Sequence, residues 1–435
     1  MAHVATSAFL TRTTLSLLLV LAVPGTSRAD WPEFRGPMGD GHVSAEGSKA
    51  PGLPLHWSET ENVKWKTSIP FRGWSTPVIM NGQVWLTTAT VEGHDFFVIC
   101  LDESSGKIVL NEKLFHTDTP EPLGNNVNAY ATPSPVIEAG RVYVHFGSYG
   151  TACLDTATKK VVWQRTDLPC RHYRGPSSSP VIFHDLLILT FDGADLQYLV
   201  GLDKKTGKTV WKRDRSAEWN DANVPGQMAK DGDLRKAHST PLLVEFEGKA
   251  QLLSTGAKAA YAYDPATGKE LWKVHFPAWS AAPRPVYRNG VGFFITGHGQ
   301  TELMAIKLGG QGDVTESRIS WKSDKTLPRT ASPVLVDDLL YMVTDDGVVT
   351  SIEADSGKEV WHSRIGGTFA ASPLYGDGRL YFFSQQGKAT VLKAGRTFET
   401  VATNSLPSGF MASPAVDGRA LFLRTRTDLY CVEEK

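Results

Sequence analysis

Short apolar runs alternate with polar turns along the chain, and residues 351–361 show the pattern most clearly. They read Ser-Ile-Glu-Ala-Asp-Ser-Gly-Lys-Glu-Val-Trp, with an acidic residue opening a turn, glycine four places on, and tryptophan four places later. Near copies occur at 200–211 and 263–272. Glycine suits the positive-φ position of such a turn. The pattern therefore predicts pairs of antiparallel strands joined by tight turns and repeated along the chain.

A small residue followed by proline precedes the first apolar run of each repeat. Eight such starts occur, at Ser75-Thr76-Pro77, Pro133-Ser134-Pro135, Ser178-Ser179-Pro180, Ser239-Thr240-Pro241, Pro283-Arg284-Pro285, Ala331-Ser332-Pro333, Ala371-Ser372-Pro373 and Ala412-Ser413-Pro414. Their spacing of roughly 40 to 60 residues is typical of propeller blades. Each repeat contains four short apolar segments, which predicts one four-stranded antiparallel blade per repeat.

The two ends of the repeat region complement each other. The eighth repeat reaches Lys435 after three strands, and residues 62–69, which include Trp65, form an additional strand before the first repeat. Pairing strand 63–69 with the last blade would close a ring and cover an exposed strand edge. We therefore predict an all-β chain with a single eight-bladed β-propeller at 62–435, preceded by a lead-in segment at 30–61.

Tryptophan recurs on the predicted outer strand of most blades. The series is Trp65, Trp163, Trp211, Trp272, Trp321 and Trp361, whereas blade 1 has Leu110 and blade 7 has no aromatic residue there. A ring docked on the turn of the next blade would bury about 150–250 Å². We interpret these residues as contacts between blades rather than as ligand-stacking groups.

Net charge limits the expected binding partners, and the first residues indicate where the protein is located. The 435 residues include 45 Lys and Arg and 46 Asp and Glu, so no net field favours nucleic acid or an anionic membrane. The basic Arg12, the apolar run 15–23 and the small residues before position 30 predict a Sec-type signal peptide, residues 1–29. No cysteine precedes Cys100, so we expect no lipid anchor, and the apolar run is too short to predict a membrane span. We expect export to the periplasm or the extracellular space.

The four cysteines are Cys100, Cys153, Cys170 and Cys431. All but Cys170 lie two residues before the acidic turn position, where other repeats carry Gly201 or another small residue. Equivalent points on neighbouring blades should lie beyond the distance a disulfide can bridge. We therefore expect buried, reduced cysteines, with Cys153–Cys170 as the one pair left open.

The turn and tryptophan at 264–272 resemble the tryptophan-docking motif of the PQQ-like (pyrrolo-quinoline quinone repeat) β-propellers. This quinoprotein alcohol dehydrogenase-like superfamily, related to the wider WD40/PQQ-like repeat folds, also contains the BamB-type scaffold of outer-membrane protein assembly. The stretches 31–37, 62–66, 73–77 and 421–430 further resemble an exported bacterial group of PQQ-like repeat proteins. The resemblance implies an eight-bladed propeller but does not fix its function.

In the dehydrogenases of that superfamily, PQQ lies against an adjacent Cys-Cys pair and a stacking Trp, beside Ca²⁺ held by Glu and Asn, with a catalytic Asp. This sequence has no adjacent Cys pair, no Cys-x-x-Cys-His and no match to the Glu, Asn and Asp set. We therefore expect no catalytic residue, metal or cofactor. PQQ with Ca²⁺ belongs to an alternative, a divergent PQQ-dependent alcohol or sugar dehydrogenase in which Trp74 or Trp279 would replace the disulfide.

Binding residues are expected in the connections that enter the first strand of each blade, here called the first-strand loops, because these ring the channel mouth. They carry Arg72, Trp74, Asn128, Tyr130, His172, Tyr173, Arg174, His238, Trp279, Arg329, Phe369 and Phe410. Aromatic residues and Arg supply much of the energy at recognition sites. The loops predict a funnel for a planar or acidic small molecule or a peptide loop; alternatively, the aromatic rings plug the channel.

Two first-strand loops are long, 116–128 and 213–236, and are predicted to wall the funnel on adjacent sides. Within the second, Asp231-Gly232-Asp233 is expected to be a solvated turn.

The leading functional hypothesis is an exported, non-catalytic propeller that binds a partner protein or a small anionic or planar ligand on its funnel face. The dehydrogenase is the first alternative, and an envelope-assembly scaffold resembling BamB is the second.

Overall fold

The structure, a computed structural model, describes residues 1–3, 30–45, 51–124, 127–219, 221, 226 and 231–434. Most of the predicted signal peptide therefore lies outside the described residues. Eight separate antiparallel sheets follow one another and form a ring, which confirms the eight-bladed propeller. The predicted domain boundaries remain predictions. In the described part of the chain, no helix is long and apolar enough to cross a membrane.

Each blade runs from an innermost first strand to an outermost fourth strand. Blades 1 to 4 comprise Val78–Met80, Gln83–Ala89, Asp95–Asp102 and Ile108–His116; Val136–Glu138, Arg141–His145, Thr151–Asp155 and Val161–Arg165; Val181–Phe183, Leu186–Asp192, Gln197–Asp203 and Thr209–Asp214; and Leu242–Phe246, Lys249–Thr255, Ala259–Tyr263 and Glu270–His275. Blades 5 to 8 comprise Val286–Arg288, Val291–Ile295, Leu303–Lys307 and Ile319–Ser323; Val334–Val336, Leu339–Val343, Val348–Glu353 and Glu359–Arg364; Leu374–Gly376, Arg379–Phe383, Lys388–Lys393 and Thr400–Ser405; and Ala415–Asp417, Ala420–Arg424, Asp428–Val432 and Val63–Ser68.

The last blade is completed by the N-terminal strand, as predicted. Val63–Ser68 pairs antiparallel with Asp428–Val432, so that Trp65 lies opposite Cys431. The buried Arg424 of blade 8 adds a side-chain link to blade 1, because its guanidinium donates to the carbonyl oxygens of Ser75 and Thr87 at 3.0 and 3.1 Å. Backbone pairing and a buried side chain therefore both hold the ring closed.

Blade 4 departs from the prediction of four strands. A two-residue strand, Gly312–Asp313, pairs in parallel with its outer strand, opposite Trp272 and Lys273. It belongs to an insertion between the third and fourth strands of blade 5, which continues into a short α-helix, Thr315–Arg318. The insertion covers an edge that is left open in an ordinary blade. Two glycines in its turn, Gly309 and Gly310, have φ of 93° and 84°.

Most predicted tryptophan contacts are present. The indole N–H groups of four tryptophans donate to carbonyl oxygens in the turn of the following blade, at 2.8–3.0 Å: Trp65 to Glu103, Trp163 to Lys204, Trp321 to Ala354 and Trp361 to Gly395. The Trp211 ring lies on Gly268 of blade 4. Trp272 differs, because its indole N–H donates to Gln251 of its own blade and its ring meets Phe294 edge-on. The tryptophans are therefore contacts between blades rather than ligand-stacking groups.

The missing aromatic residue of blade 7 is supplied by the lead-in segment. Trp57 is 2% exposed, and its ring stacks on Tyr381 of blade 7 at a centroid distance of 6.4 Å. Its backbone N–H donates to Asn404 on the outer strand of that blade. In blades 2 and 6, the corresponding partner of a second-strand tyrosine is the outer-strand tryptophan. Trp57 therefore replaces an outer-strand tryptophan from outside the blade.

Cross-strand pairing explains why cysteine or another small residue recurs two places before the acidic turn position. Cys100, Cys153 and Cys431 lie opposite Leu110, Trp163 and Trp65 on the adjacent strand. A small side chain leaves room for the ring, and a Cβ on Gly201 at the same slot would lie 2.4 Å from Trp211. All four cysteines are buried and unpaired, so Cys153 and Cys170 do not form a disulfide. Burial raises the pKa of the Cys100, Cys153 and Cys431 thiols to about 12.

Hydroxyl groups at the repeat starts join neighbouring blades around the channel. In six steps, the backbone N–H of one start donates to the Ser or Thr hydroxyl of another at 2.9–3.0 Å: Thr76 to Ser134, Ser134 to Ser179, Ser179 to Thr240, Arg284 to Ser332, Ser332 to Ser372 and Ser372 to Ser413. Blade 5 has Arg284 in place of the hydroxyl residue. The recurring hydroxyl before proline is thus a contact between blades.

The lead-in segment crosses the channel. Trp31 exchanges two backbone hydrogen bonds of 2.9 Å with Ile79 of blade 1, while the carbonyl oxygen of Phe34 accepts from Arg284 of blade 5 at 2.6 Å. Arg35 donates to the carbonyl oxygen of Pro333 in blade 6 at 2.7 Å. Blades 1 and 5 are opposite in a ring of eight, and five residues span no more than about 17 Å. The segment must therefore pass directly across the axis.

Candidate functional site

The central channel contains a cavity of about 820 Å³. Its wall includes hydroxyl residues from the repeat starts of blades 2, 3, 4, 6, 7 and 8, which places it on the axis of the ring. Phe34 of the lead-in segment lines one end. Since that segment crosses the axis, the cavity is a blind pocket that opens toward the first-strand loops.

Of the predicted site residues, seven line this cavity: Trp74, Asn128, Arg174, His238, Trp279, Arg329 and Phe369. They come from the first-strand loops of blades 1 to 7. The structure therefore brings most of the predicted set together around one space, while their role in ligand binding remains a prediction.

The other five predicted residues do not line the cavity. Tyr130 donates its hydroxyl to the carbonyl oxygen of Glu121 at 2.6 Å, and Phe410 is 1% exposed and packs on Phe383. His172 accepts a hydrogen bond from the backbone N–H of Ser148. These three side chains contact other parts of the protein instead of the cavity.

Arg72 and Tyr173, the remaining two, stack behind residues of the wall. The Arg72 guanidinium lies 4.9 Å from the centre of the Trp74 ring, and the Tyr173 ring lies 4.7 Å from the Arg174 guanidinium. Such cation–π contacts restrict the orientation of both partners.

Sequence reasoning missed several residues of the wall, among them Lys236, Asp233, His298, Asp345 and Met411. The expectation of a solvated turn at Asp231-Gly232-Asp233 is wrong for Asp233, which is 4% exposed and forms an ion pair with Lys236 in a short 3₁₀ helix, Asp233–Arg235. Lys236 lies two residues before His238 in the same predicted loop, so its place in the sequence could have identified it as a residue of the wall. His298 and Asp345 come from turns after second strands, and no sequence signal pointed to those turns.

Asn128 fixes the loop that carries Arg174. Its side-chain amide donates to the carbonyl oxygen of Arg174 at 2.7 Å and to the hydroxyl of Ser177 at 2.8 Å. Glu121, from the same long connection as Asn128, accepts from the backbone N–H of Tyr173 at 2.9 Å. The loops into blades 2 and 3 are thus joined, and they hold Arg174 at the cavity wall.

Trp279 presents its ring from the loop into blade 5. Its backbone pairs with His298, and Gly299 lies so close that a Cβ there would be 2.3 Å from the ring. The Lys258 ammonium lies 5.2 Å from the ring centre. Gly299, at φ 94°, leaves the space that the ring occupies.

The histidines of this wall are neutral at pH 7. Burial lowers the pKa of His238 to about 3, with further lowering by the nearby charges of Lys236 and Arg174. Burial and the Arg329 and Lys236 charges also lower the pKa of His298. Cationic neighbours oppose a further positive charge on an imidazole. Burial and the Arg174 charge also lower the pKa of Lys236 to about 7, so the positive charge of the cavity comes chiefly from Arg174 and Arg329.

The residues present do not fit the quinone and calcium site of the dehydrogenases. In the described ranges, no group of three His, Cys, Asp or Glu residues is arranged to hold a metal ion. Of the two carboxylates that line the cavity, Asp233 is paired with Lys236, and Asp345 accepts from the backbone N–H of Arg329 at 3.2 Å. Trp74 and Trp279 could stack on a planar ring, but no calcium ligand set or disulfide accompanies them.

Comparisons with solved structures identify the same fold. BamB from Moraxella catarrhalis is 13% identical, with a TM-score of 0.57, over 85% of this chain and 99% of that chain. The computationally designed Ika8 protein is 10% identical, with a TM-score of 0.56, over 88% and 100%. A europium-containing methanol dehydrogenase is 11% identical, with a TM-score of 0.50, over 91% and 89%. At these identities the likeness establishes the fold alone.

Family-level comparison covers nearly all of the propeller. None of the curated proteins compared with this chain matches it in sequence. The family model described as outer membrane protein assembly factor BamB matches residues 56–234 and 197–435. Together these matches cover well over half of the chain, so this protein belongs to the BamB family of PQQ-like repeat β-propellers.

Proposed function

We propose that this protein is an exported, non-catalytic binding propeller whose central cavity holds a small planar or anionic molecule. The blind cavity of about 820 Å³ carries the proposal. Small-molecule sites are concave, have volumes of about 300–1,000 Å³, and combine aromatic walls with a few polar groups. Trp74, Trp279 and Phe369 supply aromatic wall here, and Arg174 and Arg329 supply charge.

Closure by the lead-in segment favours a small molecule over a threaded chain. A polypeptide passing through the pore would have to displace Phe34 and the ion pair between Glu33 and Arg284, whose N–O distance is 3.2 Å. Both side chains are largely buried, so breaking this pair would leave charge without a partner. A ligand from the open side meets no such barrier.

The test is to identify what the folded protein carries. The native protein would be purified under mild conditions, denatured, and its small molecules identified by mass spectrometry. We expect one compound in near-stoichiometric amount, and its loss from an Ala370→Trp variant that fills the cavity. Ala370→Leu provides a milder filling, and circular dichroism verifies folding of both. Equal recovery from wild type and both folded variants would contradict binding in the cavity.

A second candidate, an envelope-assembly scaffold, is favoured by the match to the BamB family model. Cross-linking in cells followed by purification would recover a protein partner in fixed ratio under this hypothesis. The partner should persist with Ala370→Trp, because a docking surface on the outside does not depend on the cavity. Loss of the partner with cavity filling would instead assign its contact to the funnel.

The dehydrogenase alternative has no comparable support, because the calcium ligand set does not fit. Titration of the protein with PQQ and Ca²⁺ is expected to give no stoichiometric uptake and no alcohol-dependent dye reduction. Tight uptake together with dye reduction would overturn the non-catalytic proposal.

A further inference from the structure

Positive charge is concentrated on one side of the cavity wall. Arg174 enters from blade 3, Lys236 from blade 4 and Arg329 from blade 6, so the cationic groups lie within four consecutive blades. Lys236 is ion-paired with Asp233. Among the described residues, no carboxylate accepts a hydrogen bond from the Arg174 or Arg329 guanidinium. Two guanidinium groups therefore line the cavity without a hydrogen-bonded carboxylate, and Asp345, a carboxylate of the wall, is bonded to the Arg329 backbone.

The other titratable groups on this side of the wall are two histidines and one carboxylate. His238 and His298 stand between the arginines, and the pKa of each imidazole is lowered by burial and by cations around it. Asp345 is the remaining carboxylate of the wall, and it accepts from the backbone of Arg329. An anion entering here would gain charge-assisted hydrogen bonds that no group in the wall provides.

Apolar side chains occupy the opposite side. Met411 of blade 8, Trp74 of blade 1 and Ala129 of blade 2 form one hydrophobic cluster, against which Ala370 of blade 7 packs. Trp74 and Met411 are each 7% exposed, and both line the cavity together with Ala370. This side offers contact area for an apolar group, and the arginines that contact Trp74 and Met411, Arg72 and Arg426, do not line the cavity.

From this division we infer that the ligand is an amphipathic organic anion. Its carboxylate, sulfonate or phosphate group faces Arg174 and Arg329, and its apolar body lies against Trp74 and Met411. This inference rests on the proposed function and adds the chemical class and the orientation of the ligand. A neutral polar ligand would make no charge-assisted hydrogen bond to either guanidinium, and a small inorganic anion would leave the apolar side uncovered.

Two fluorescent probes separate the contributions of charge and shape. The probe 8-anilinonaphthalene-1-sulfonate carries the same ring system as N-phenyl-1-naphthylamine, which has no sulfonate. Both would be titrated into the folded wild type, with stoichiometry from the fluorescence plateau. We expect one site per chain, with the sulfonate bound about tenfold or more tightly than the neutral probe, since hydrogen bonds to charged groups are the stronger class.

Variants then test whether the arginines of the cavity cause the preference for the sulfonate. Arg174→Met and Arg329→Met should each weaken binding of the sulfonate about tenfold and leave the neutral probe unchanged. Ala370→Trp should weaken both probes. Arg419→Met makes the same chemical change at an exposed residue of blade 8 that does not line the cavity, and should change neither. Circular dichroism confirms that each variant is folded.

The outcomes separate the two levels of the proposal. If both probes bind equally in a manner sensitive to Ala370→Trp but not to the arginine variants, the cavity binds ligands and the anion inference is overturned. If neither probe binds saturably, or Ala370→Trp changes nothing, the cavity itself is not the binding site and both proposals fail.

Discussion

At the scale of single residues, buried arginines make contacts between parts of the ring. Arg215, Arg284 and Arg424 are each no more than 7% exposed, and their guanidiniums bond to groups in another blade or in the lead-in segment. Burial lowers the pKa of Arg424 to about 9, so it remains charged at neutral pH. A planar fork with five N–H donors can satisfy several carbonyl and hydroxyl oxygens at once.

Arg215 provides a stability test. Its guanidinium grips both oxygens of Asp192 at 2.6 Å in a fully buried pair and also reaches Ser254 of blade 4. Arg215→Met should lower the free energy of unfolding by about 3–5 kcal/mol, because the Asp192 carboxyl is left buried without its partner. Urea unfolding followed by circular dichroism measures the loss.

A matched control and a rescue accompany this variant. Lys205→Met removes an exposed ion pair with Asp185 and should cost no more than about 1 kcal/mol. Adding Asp192→Leu to Arg215→Met should recover part of the loss, since the unpaired carboxyl is then gone. Equal stability of Arg215→Met and Lys205→Met would show that the buried pair contributes nothing.

Turn glycines offer a second comparison at this scale. Gly207 and Gly248 have φ of 72° and 70°, but a Cβ on Gly207 would lie 2.7 Å from the Trp163 ring, whereas a Cβ on Gly248 would meet nothing within 4 Å. Both Ala variants should lose about 1–2 kcal/mol to the left-handed backbone. Gly207→Ala should lose a further 1–3 kcal/mol or so from overpacking. Thermal midpoints that shift equally would contradict the docking of the ring on this glycine.

At the scale of elements, the acidic turn and the docked tryptophan form one repeated unit. In blade 2, a side-chain oxygen of Asp155 accepts from the backbone N–H of Thr158 at 2.8 Å and from its hydroxyl at 2.9 Å. These bonds, with Arg141, lower the pKa of Asp155 to about 2. The turn is thereby closed by a charged side chain, and Lys159, at φ 59°, takes the position that glycine holds in other blades.

The acidic turn predicts a dependence of stability on pH. Because the folded pKa of Asp155 lies below its ordinary value of about 3.9, the stabilisation is present above that value and is lost as the pH falls toward about 2. The melting temperature of Asp155→Asn should lie below that of wild type at pH 7 and approach it at pH 2. Asp355→Asn, at an exposed carboxyl, should match wild type throughout. A constant difference for Asp155→Asn across this range would refute the charged contact.

Trp57, in the lead-in segment, docks on blade 7 as the outer-strand tryptophans dock on other blades. Trp57→Ala should destabilise the propeller by about 3–5 kcal/mol, as Trp163→Ala should, because each removes a large docked ring. Chemical unfolding of both variants measures the effect. A Trp57→Ala variant within 0.5 kcal/mol or so of wild type would mean that the lead-in segment is not part of the blade contacts.

Sequence patterns predicted the blades but not the path of the lead-in segment, for physical reasons. The acidic residue and glycine act within one turn, and the tryptophan follows at a fixed spacing on the next strand, so a local period marks all three. Gly357 receives the Trp321 ring, and Trp361 bonds to Gly395 of the next blade. Trp57 and Phe34 act through contacts with distant blades, and no local period marks such contacts. Arg284 was visible as an exception among the repeat starts, yet its partners Glu33 and Phe34 lie about 250 residues away.

The candidate site was likewise predicted in part. First-strand loops could be located from the prolines that follow them, which gave Trp74, Arg174 and Trp279. The orientation of a side chain within a loop is set by its partners, so Tyr130 and Phe410 turned inward to pack instead. Turns after second strands also reach the cavity, and this is why His298 and Asp345 were missed.

At the scale of the whole molecule, ring closure depends on a strand from the other end of the chain. A protein beginning at residue 70 would lack Val63–Ser68 and expose the edge of Asp428–Val432. We expect it to self-associate in light scattering, because an open edge pairs with other chains. A protein beginning at residue 62 keeps this strand but lacks the lead-in segment, so it should be less stable without self-associating through this edge. Monomeric behaviour of the shorter protein would contradict closure by this strand.

The pairing of residues 63–68 with residues 428–432 also orders events during synthesis. Val63–Ser68 is translated before all other strands of the propeller and must stay without its partner until nearly the whole propeller has been translated. Contacts between segments so far apart in sequence make folding slow, and unpaired strands are prone to misassembly meanwhile. Completion of the final blade is therefore the folding step at which a growing chain would benefit most from a chaperone.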